Sequence, residues 1–201
     1  ICTNMERPQL FTLPLPYTCC MTAIPSMTPE QAAFLLNAAF LPALQREYAT
    51  TKNVIEAIPQ NCGDYRPEPV AKSALELAWH IVSAEKRFLE FIINGELSTA
   101  PISRPDSVVD SAGIARWYTE IFQSLLARAQ QLSPQHLAKV IDFRGIIQLP
   151  AVAFLQTMMH HSVHHRGQLS TYLRPMGGKV PAIYGESYDS AEAKKTAQTV
   201  S

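Results

Sequence analysis

Prolines, glycines and capping residues divide most of the chain into four long segments with the periodicity of amphipathic helices. The first begins at Thr28-Pro29-Glu30-Gln31, with a capping threonine, proline at the first helical position and glutamine three residues after the cap. This helix is predicted to reach Ile58-Pro59, with a kink or break at Pro42, which removes a backbone hydrogen bond. Its apolar residues recur with a period close to 3.6, at Phe34, Leu41, Leu44, Tyr48 and Ile55.

Three further helices follow. Ser73, with Glu76 three residues later, predicts a helix that ends near Ile93, before Asn94-Gly95. A third is predicted over 108–131, and a fourth from Leu149-Pro150 to Arg174-Pro175. Residues 133–148 follow no clear helical pattern, and Val140–Phe143 within them fits either a short extended segment or part of a long crossover. The pattern predicts an all-α protein, an antiparallel up-and-down four-helix bundle over residues 28–185.

Both ends of the chain lack this helical pattern. Residues 1–27 contain four prolines and are interpreted as an irregular N-terminal arm, or as sequence upstream of an initiator at Met21. The apolar run LFTLPLPY also raises the alternative of a signal peptide, although it is short and interrupted by prolines. Residues 186–201 are polar and are predicted to form a frayed C-terminal tail.

The amino-acid composition argues against strongly charged binding partners. Lys plus Arg and Asp plus Glu are balanced at 17 each, which argues against nucleic acids or anionic membranes as partners recognised by bulk charge. No run of about 18 apolar residues appears, so no membrane span is expected. The four cysteines, Cys2, Cys19, Cys20 and Cys62, show no CxxC spacing. This cysteine usage favours a cytoplasmic location over a disulfide framework.

The candidate chemistry lies in the fourth helix, which contains four histidines within six residues. They form two overlapping HxxxH pairs, His160 with His164 and His161 with His165. Residues four apart share one helix face, so either pair could turn two imidazoles onto one metal ion. The stripe through His161 and His165 also carries Phe154, Met158, Leu169 and Tyr172, which indicates the inward face. His160 and His164 are expected to be flanking or solvated.

A third ligand is expected from His80 on the second helix. Its stripe, which contains Leu77, Ala84, Phe88 and Phe91, places it in the middle of an inward face. One buried histidine is commonly just a hydrogen-bonded core residue, but three clustered imidazoles would each need a partner. Metal binding satisfies all three. No cysteine or carboxylate is clearly placed as a fourth ligand, which predicts an open site for Zn²⁺ or Ni²⁺.

Two stretches, RPEPVAKSALELAWHIVSAEKRFL and HHSVHHRGQLSTYLRPMGGKVPAIYG, resemble the DinB-like (DinB/YfiT) superfamily of metal-binding four-helix bundles. The resemblance extends over residues 28–185. It implies His80, His161 and His165 as the ligands, and commonly a homodimer. It also implies a long crossover between the second and third helices, for which the loop at 94–108 is short.

Characterised relatives include enzymes that use low-molecular-weight thiols, so the resemblance implies transfer of such a thiol, as cosubstrate, to a small electrophile. Gln168 and Tyr172 would then shape the pocket. One alternative is hydrolysis by metal-bound hydroxide, with Glu76 or Glu85 as base. A further alternative is a stress-associated protein that binds metal without turnover.

Five further residues in the two stretches have open roles. Gln168 could hydrogen-bond a ligand or a bound water. Arg166 is expected to form a salt bridge that caps the bundle, and Gly167 to permit close helix approach. Glu76 and Glu85 could each orient an imidazole or be surface charges.

Overall fold

The computed structural model describes residues 26–199, so the predicted N-terminal arm lies almost entirely outside the described residues. Within this range the protein is mostly helical, as expected. The helices are α1 (Pro29–Phe34), α2 (Leu41–Glu56), α3 (Ala74–Asn94), α4 (Ser111–Gln130), α5 (Pro134–Ala138), α6 (Phe154–Leu173) and α7 (Tyr188–Thr199). One antiparallel hairpin, β1 (Val140–Phe143) and β2 (Ile147–Pro150), lies between α5 and α6. No helix in the described range is long and apolar enough to cross a membrane.

The helix predicted from Thr28 changes its hydrogen bonding near Pro42. Thr28 forms the expected capping box with Gln31. A six-residue π segment, Leu35–Phe40, then joins α1 to α2. Pro42 has no backbone N–H and cannot donate the usual helical hydrogen bond. The predicted interruption of the helix is therefore observed as a wider π turn before Pro42. The additional residue in that turn shifts the phase of the apolar stripe. Phe34, predicted to face the core, is therefore 68% exposed.

The four long helices pack against one another in pairs. α3 contacts α4 and α6, and α2 contacts the same two helices from the other side. Ser73 and Glu76 form the predicted capping box, and α3 ends at Gly95, whose φ of 76° is readily adopted only by a residue without a Cβ. The core comes from apolar residues on all four helices, which include Leu44, Val54, Leu77, Ile81, Leu89, Ile114, Phe122, Phe154, Leu155 and Leu169.

The region that the sequence left open contains a short helix followed by the hairpin. Val140–Phe143 is a strand, so the extended alternative is the correct one for these four residues. Arg144 and Gly145 turn the hairpin with φ values of 60° and 69°. Phe143 stacks on Phe88 of α3, with ring centroids 5.5 Å apart and planes 7° apart. A 3-10 turn, Ala151–Ala153, leads into α6, which therefore starts later than predicted.

The C-terminal prediction of a frayed tail is wrong, because residues 188–199 form α7. Ser187 caps this helix by accepting a hydrogen bond from the Ser190 N–H, and the Ser190 hydroxyl accepts one from the Ser187 N–H. Asp189 accepts hydrogen bonds from the Arg174 side chain and the Val180 N–H. These contacts tie the start of α7 to the end of α6.

Candidate metal centre

His80 of α3 meets His161 and His165 of α6 at the contact between the two helices. The His80 Nε2 atom lies 3.2 Å from Nε2 of His161 and 3.2 Å from Nε2 of His165. One nitrogen from each ring lies within 4.8 Å of the other two. The structure thus brings together the three residues that were predicted from the sequence as metal ligands.

Hydrogen bonding alone does not account for this arrangement. Each imidazole nitrogen carries either a proton or a lone pair, so Nε2 of His80 cannot donate to both neighbours. A single cation accepts all three lone pairs. In a tetrahedral site with metal–nitrogen bonds of about 2.0–2.1 Å, two ligand nitrogens are about 3.3 Å apart. The observed separations of 3.2 Å match that edge. The donor set therefore fits a divalent ion.

The helix faces agree with the predicted division of the four histidines. His160 and His164 are exposed, whereas His161 and His165 are partly buried. On α3 the prediction was less accurate. The centre of its buried stripe runs through Ala78, Ile81 and Glu85, and His80 lies at the edge of that stripe. All three imidazoles are partly exposed.

Two imidazoles of the cluster, those of His80 and His161, favour the neutral form. Burial lowers the pKa of His161 to about 4, and the nearby His165, His80 and His164 contribute to this lowering by repulsion between positive charges. Burial also lowers the pKa of His80, with a second contribution from His165. Neutral rings keep the lone pairs that a metal ion requires.

Gln168 fixes the orientation of one ring. The His165 Nδ1 atom lies 3.1 Å from Gln168 Oε1, and an amide oxygen can only accept, so Nδ1 carries the proton. Nε2 of His165 then has its lone pair directed at the cluster. Gln168 Nε2 donates in turn to the hydroxyl of the buried Tyr172, at 3.3 Å. His161 has no such support, because its buried Nδ1 makes no hydrogen bond within residues 26–199.

Both candidate carboxylates are engaged elsewhere. Glu76 belongs to the α3 capping box and forms an ion pair with Arg66 at 2.8 Å, which keeps the pKa of this exposed carboxyl low. Glu85 is buried and accepts a hydrogen bond from the Tyr118 hydroxyl at 2.6 Å. Burial raises the pKa of Glu85. Neither forms a hydrogen bond with an imidazole of the cluster, so the structure gives no support for an imidazole-orienting role.

Arg166 forms the predicted salt bridge, but inside the protein and not at its end. Its side chain is 1% exposed, and Nη1 lies 2.7 Å from Glu47 Oε2 of α2. The same guanidinium donates to Thr51 Oγ1, at 3.1 Å, and to the hydroxyl of Tyr184. Gly167 has no packing role, because a Cβ built on it meets nothing within 4 Å. That prediction is wrong, since Gly167 lies on the exposed face.

Sequence reasoning missed two features around the centre. Phe88 lies beside His161, with ring centroids 6.3 Å apart, and its stacking on Phe143 places the hairpin next to the cluster. Glu47 and Tyr184, the partners of Arg166, are 119 and 18 residues from it along the chain. Helical periodicity carries no signal for either contact.

Fold and cluster together define a mostly helical protein with a three-histidine site that could hold a metal ion. A model of the DinB family matches residues 32–198, and the chain belongs to this family. It is 30% identical over 129 residues to the uncharacterised protein YjoA of Bacillus subtilis, covering 63% of this chain and 82% of YjoA.

Two solved structures are similar. The DinB-like YjoA crystal structure matches with a TM-score of 0.62 and 27% identity, over 73% of this chain and 99% of that one. A DinB-like protein of Bacillus cereus matches with a TM-score of 0.63 and 25% identity, over 74% of this chain and 97% of that one.

Proposed function

We propose that His80, His161 and His165 hold one divalent ion, Zn²⁺ or Ni²⁺, inside an antiparallel four-helix bundle. We further propose that the protein transfers a low-molecular-weight thiol to an electrophilic small molecule. The observation that carries the first step is the convergence of three Nε2 atoms, with two separations of 3.2 Å. Imidazole nitrogens suit both of these ions.

The composition of the cluster supports an open centre. The group of potential ligands among residues 26–199 contains three histidines and no carboxylate or thiolate. Structural zinc sites are closed by four protein ligands, whereas catalytic sites keep a position for water or substrate. Cys62, the free cysteine of the described range, contacts the Met176 carbonyl at 3.5 Å and not the cluster.

The placement of the carboxylates favours thiol transfer over hydrolysis. A hydrolase needs a general base within hydrogen-bond reach of the attacking water. Glu76 and Glu85, the two candidates for that base, are held by Arg66 and Tyr118 instead. A bound divalent ion lowers the pKa of a thiol enough to ionise it outright, so thiol chemistry has less need of a carboxylate.

The residues of this chain then have distinct tasks. The three imidazoles hold the ion, and Gln168 keeps the proton of His165 on Nδ1 so that Nε2 faces the ion. Tyr172 positions Gln168 through its hydroxyl. Phe88, next to His161, provides an apolar side to the site. The homodimer, the cytoplasmic location and the particular thiol remain predictions.

Elemental analysis of untagged protein purified without added metal tests the first step. We expect about one equivalent of zinc or nickel in the wild type and none in His80→Ala. His136→Gln is the matched control, because His136 bonds the Ile92 carbonyl away from the cluster. Absence of a tightly bound equivalent in the wild type, even after titration, would contradict the proposal.

Transfer is tested separately on metal-loaded protein. Low-molecular-weight thiols are offered with an electrophilic acceptor such as an aryl halide, and loss of free thiol is followed. We expect turnover that disappears in His80→Ala. A metal-loaded protein that consumes no thiol from any such pair, but hydrolyses esters, would favour the hydrolase.

A further inference from the structure

α6 carries a second histidine pair that the proposed centre does not use. His160 and His164 lie four residues apart on the exposed face of this regular helix. Within residues 26–199, the His160 side chain makes no hydrogen bond, ion pair or ring contact. Among the described residues, the His164 ring contacts that of His165, with centroids 4.8 Å apart and planes at 72°. Neither imidazole contributes to the core.

The helix offers these two rings no acidic partner. α6 contains no Asp or Glu, so no carboxylate lies three or four residues from either histidine within the helix. Exposed imidazoles four residues apart have Cβ atoms about 5–6 Å apart and are free to turn toward one point. That arrangement supplies two imidazole nitrogens as ligands and leaves the other coordination positions to water.

We propose that His160 and His164 form a second, solvent-exposed metal-binding site on α6. Its occupant is a divalent ion that combines imidazole ligands with several waters, of which Ni²⁺ and Cu²⁺ are the best suited, since both accept tetragonal or octahedral geometry. With two protein ligands in place of three, this site binds more weakly than the three-histidine cluster. Its existence does not depend on catalysis at the cluster.

Titration of the untagged, metal-free protein with Ni²⁺ tests the inference. We compare the wild type, the double variants His160→Ala/His164→Ala and His161→Ala/His165→Ala, and the control His136→Gln. Circular dichroism verifies that each is folded, which for the exposed pair is expected because both side chains lie on the surface.

The expected result is two classes of site in the wild type and in His136→Gln. His160→Ala/His164→Ala loses the weaker equivalent and keeps the tighter one. His161→Ala/His165→Ala shows the reverse. A weak equivalent that survives in His160→Ala/His164→Ala, or a wild type that binds only the tight one, would overturn the inference.

The failure of the proposed function gives a different pattern. If the cluster binds no metal, the wild type and His161→Ala/His165→Ala both show one weak equivalent. That equivalent would still disappear in His160→Ala/His164→Ala.

Discussion

His165 and Arg166 are consecutive on α6, yet the polar clusters to which they belong differ in how their hydrogen-bonding groups are satisfied. Arg166 is fully buried and finds Glu47, Thr51 and Tyr184 as partners. The histidine cluster is only partly buried, and its three Nε2 atoms face one another with no donor between them that satisfies all three. The polar groups of the Arg166 network are hydrogen-bonded within the protein, so this network has a structural role without any ligand. The three converging nitrogens instead form a group that could hold a metal ion, as we propose.

The comparison makes opposite predictions for mutations in the two clusters. The arginine network should matter most for the stability of the metal-free protein, and the histidine cluster for binding.

The largest effect on stability is expected from Arg166→Met. Removing one partner of a buried ion pair leaves the other charge unpaired, which costs about 3–5 kcal/mol in the free energy of unfolding. Urea denaturation of the metal-free protein measures it. Glu47→Gln, which keeps the shape of the carboxylate at a position that is 19% exposed, should cost less. A loss below about 1 kcal/mol for Arg166→Met would remove the distinction between the clusters.

His161→Ala and His165→Ala are expected to abolish the tight equivalent of bound metal while lowering metal-free stability by about 1 kcal/mol. The physical reason is that half-buried imidazoles contribute little packing, whereas two remaining ligands hold an ion weakly. Metal content and urea denaturation are measured on the same samples. The single variants His160→Ala and His164→Ala should keep the tight equivalent. Equal loss of that equivalent in all four variants would contradict the assignment of faces.

Gln168→Ala tests whether the support of His165 matters for the ion. Loss of a hydrogen-bond partner of a metal ligand typically weakens metal affinity about 10–100-fold. Competition with a chromophoric chelator measures the affinity. Gln168→Glu keeps an acceptor for the Nδ1 proton and should restore most of it, whereas an unchanged affinity in Gln168→Ala would show that the hydrogen bond is incidental.

The metal-free protein should lose stability in acid through His161. The folded-state pKa, lowered to about 4 by burial and the neighbouring histidines, lies below the unfolded value of about 6.5. The unfolded state therefore binds more protons between these values. The contribution of neutral His161 to the free energy of unfolding is fully present above pH 6.5 and is lost as the pH falls toward 4. The difference in unfolding free energy between wild type and His161→Gln, measured across this range, should shrink with falling pH. A constant difference would contradict it.

The smallest effect is expected from Tyr184→Phe. The hydroxyl accepts from Arg166 and donates to Glu47 Oε2 at 2.9 Å, but 69% of the residue is exposed. Loss of these contacts should cost about 1 kcal/mol. Thermal unfolding at matched pH measures it, and metal affinity should stay unchanged. A change in metal affinity would show that the two clusters are coupled.

Helical periodicity was sufficient to predict most of the histidine cluster. Residues on one helix face repeat every 3.6 positions, so the apolar neighbours of His161 and His165 in the sequence are enough to identify their face. The same reasoning could not find Glu47 as the partner of Arg166, because that contact joins two helices and depends on how they pack. His80 was predicted in the middle of the buried face but lies at its edge. Periodicity shows which way a side chain points from the helix axis, but not which neighbouring helix covers it.

Short elements were the other source of error. Val140–Phe143 and Ile147–Pro150 are strands of four residues, too short for periodicity to separate them from a turn or a loop. α7 was not predicted because its sequence is polar. Its N-terminus is capped by reciprocal hydrogen bonds between Ser187 and Ser190. The π segment before Pro42 was also too short to predict from periodicity, and it accounts for the exposure of Phe34, which was predicted to be buried.

The anchoring of Arg166 also bears on how α6 can move. One residue step on an α-helix is a rotation of about 100° around its axis, so any turn of α6 that moved His165 from its place would pull Arg166 away from α2. Glu47 and Thr51 therefore fix the angular setting of α6 from the core side. The imidazoles of this helix are thus held in place in the metal-free protein, and binding of the proposed ion would need little reorganisation of the backbone.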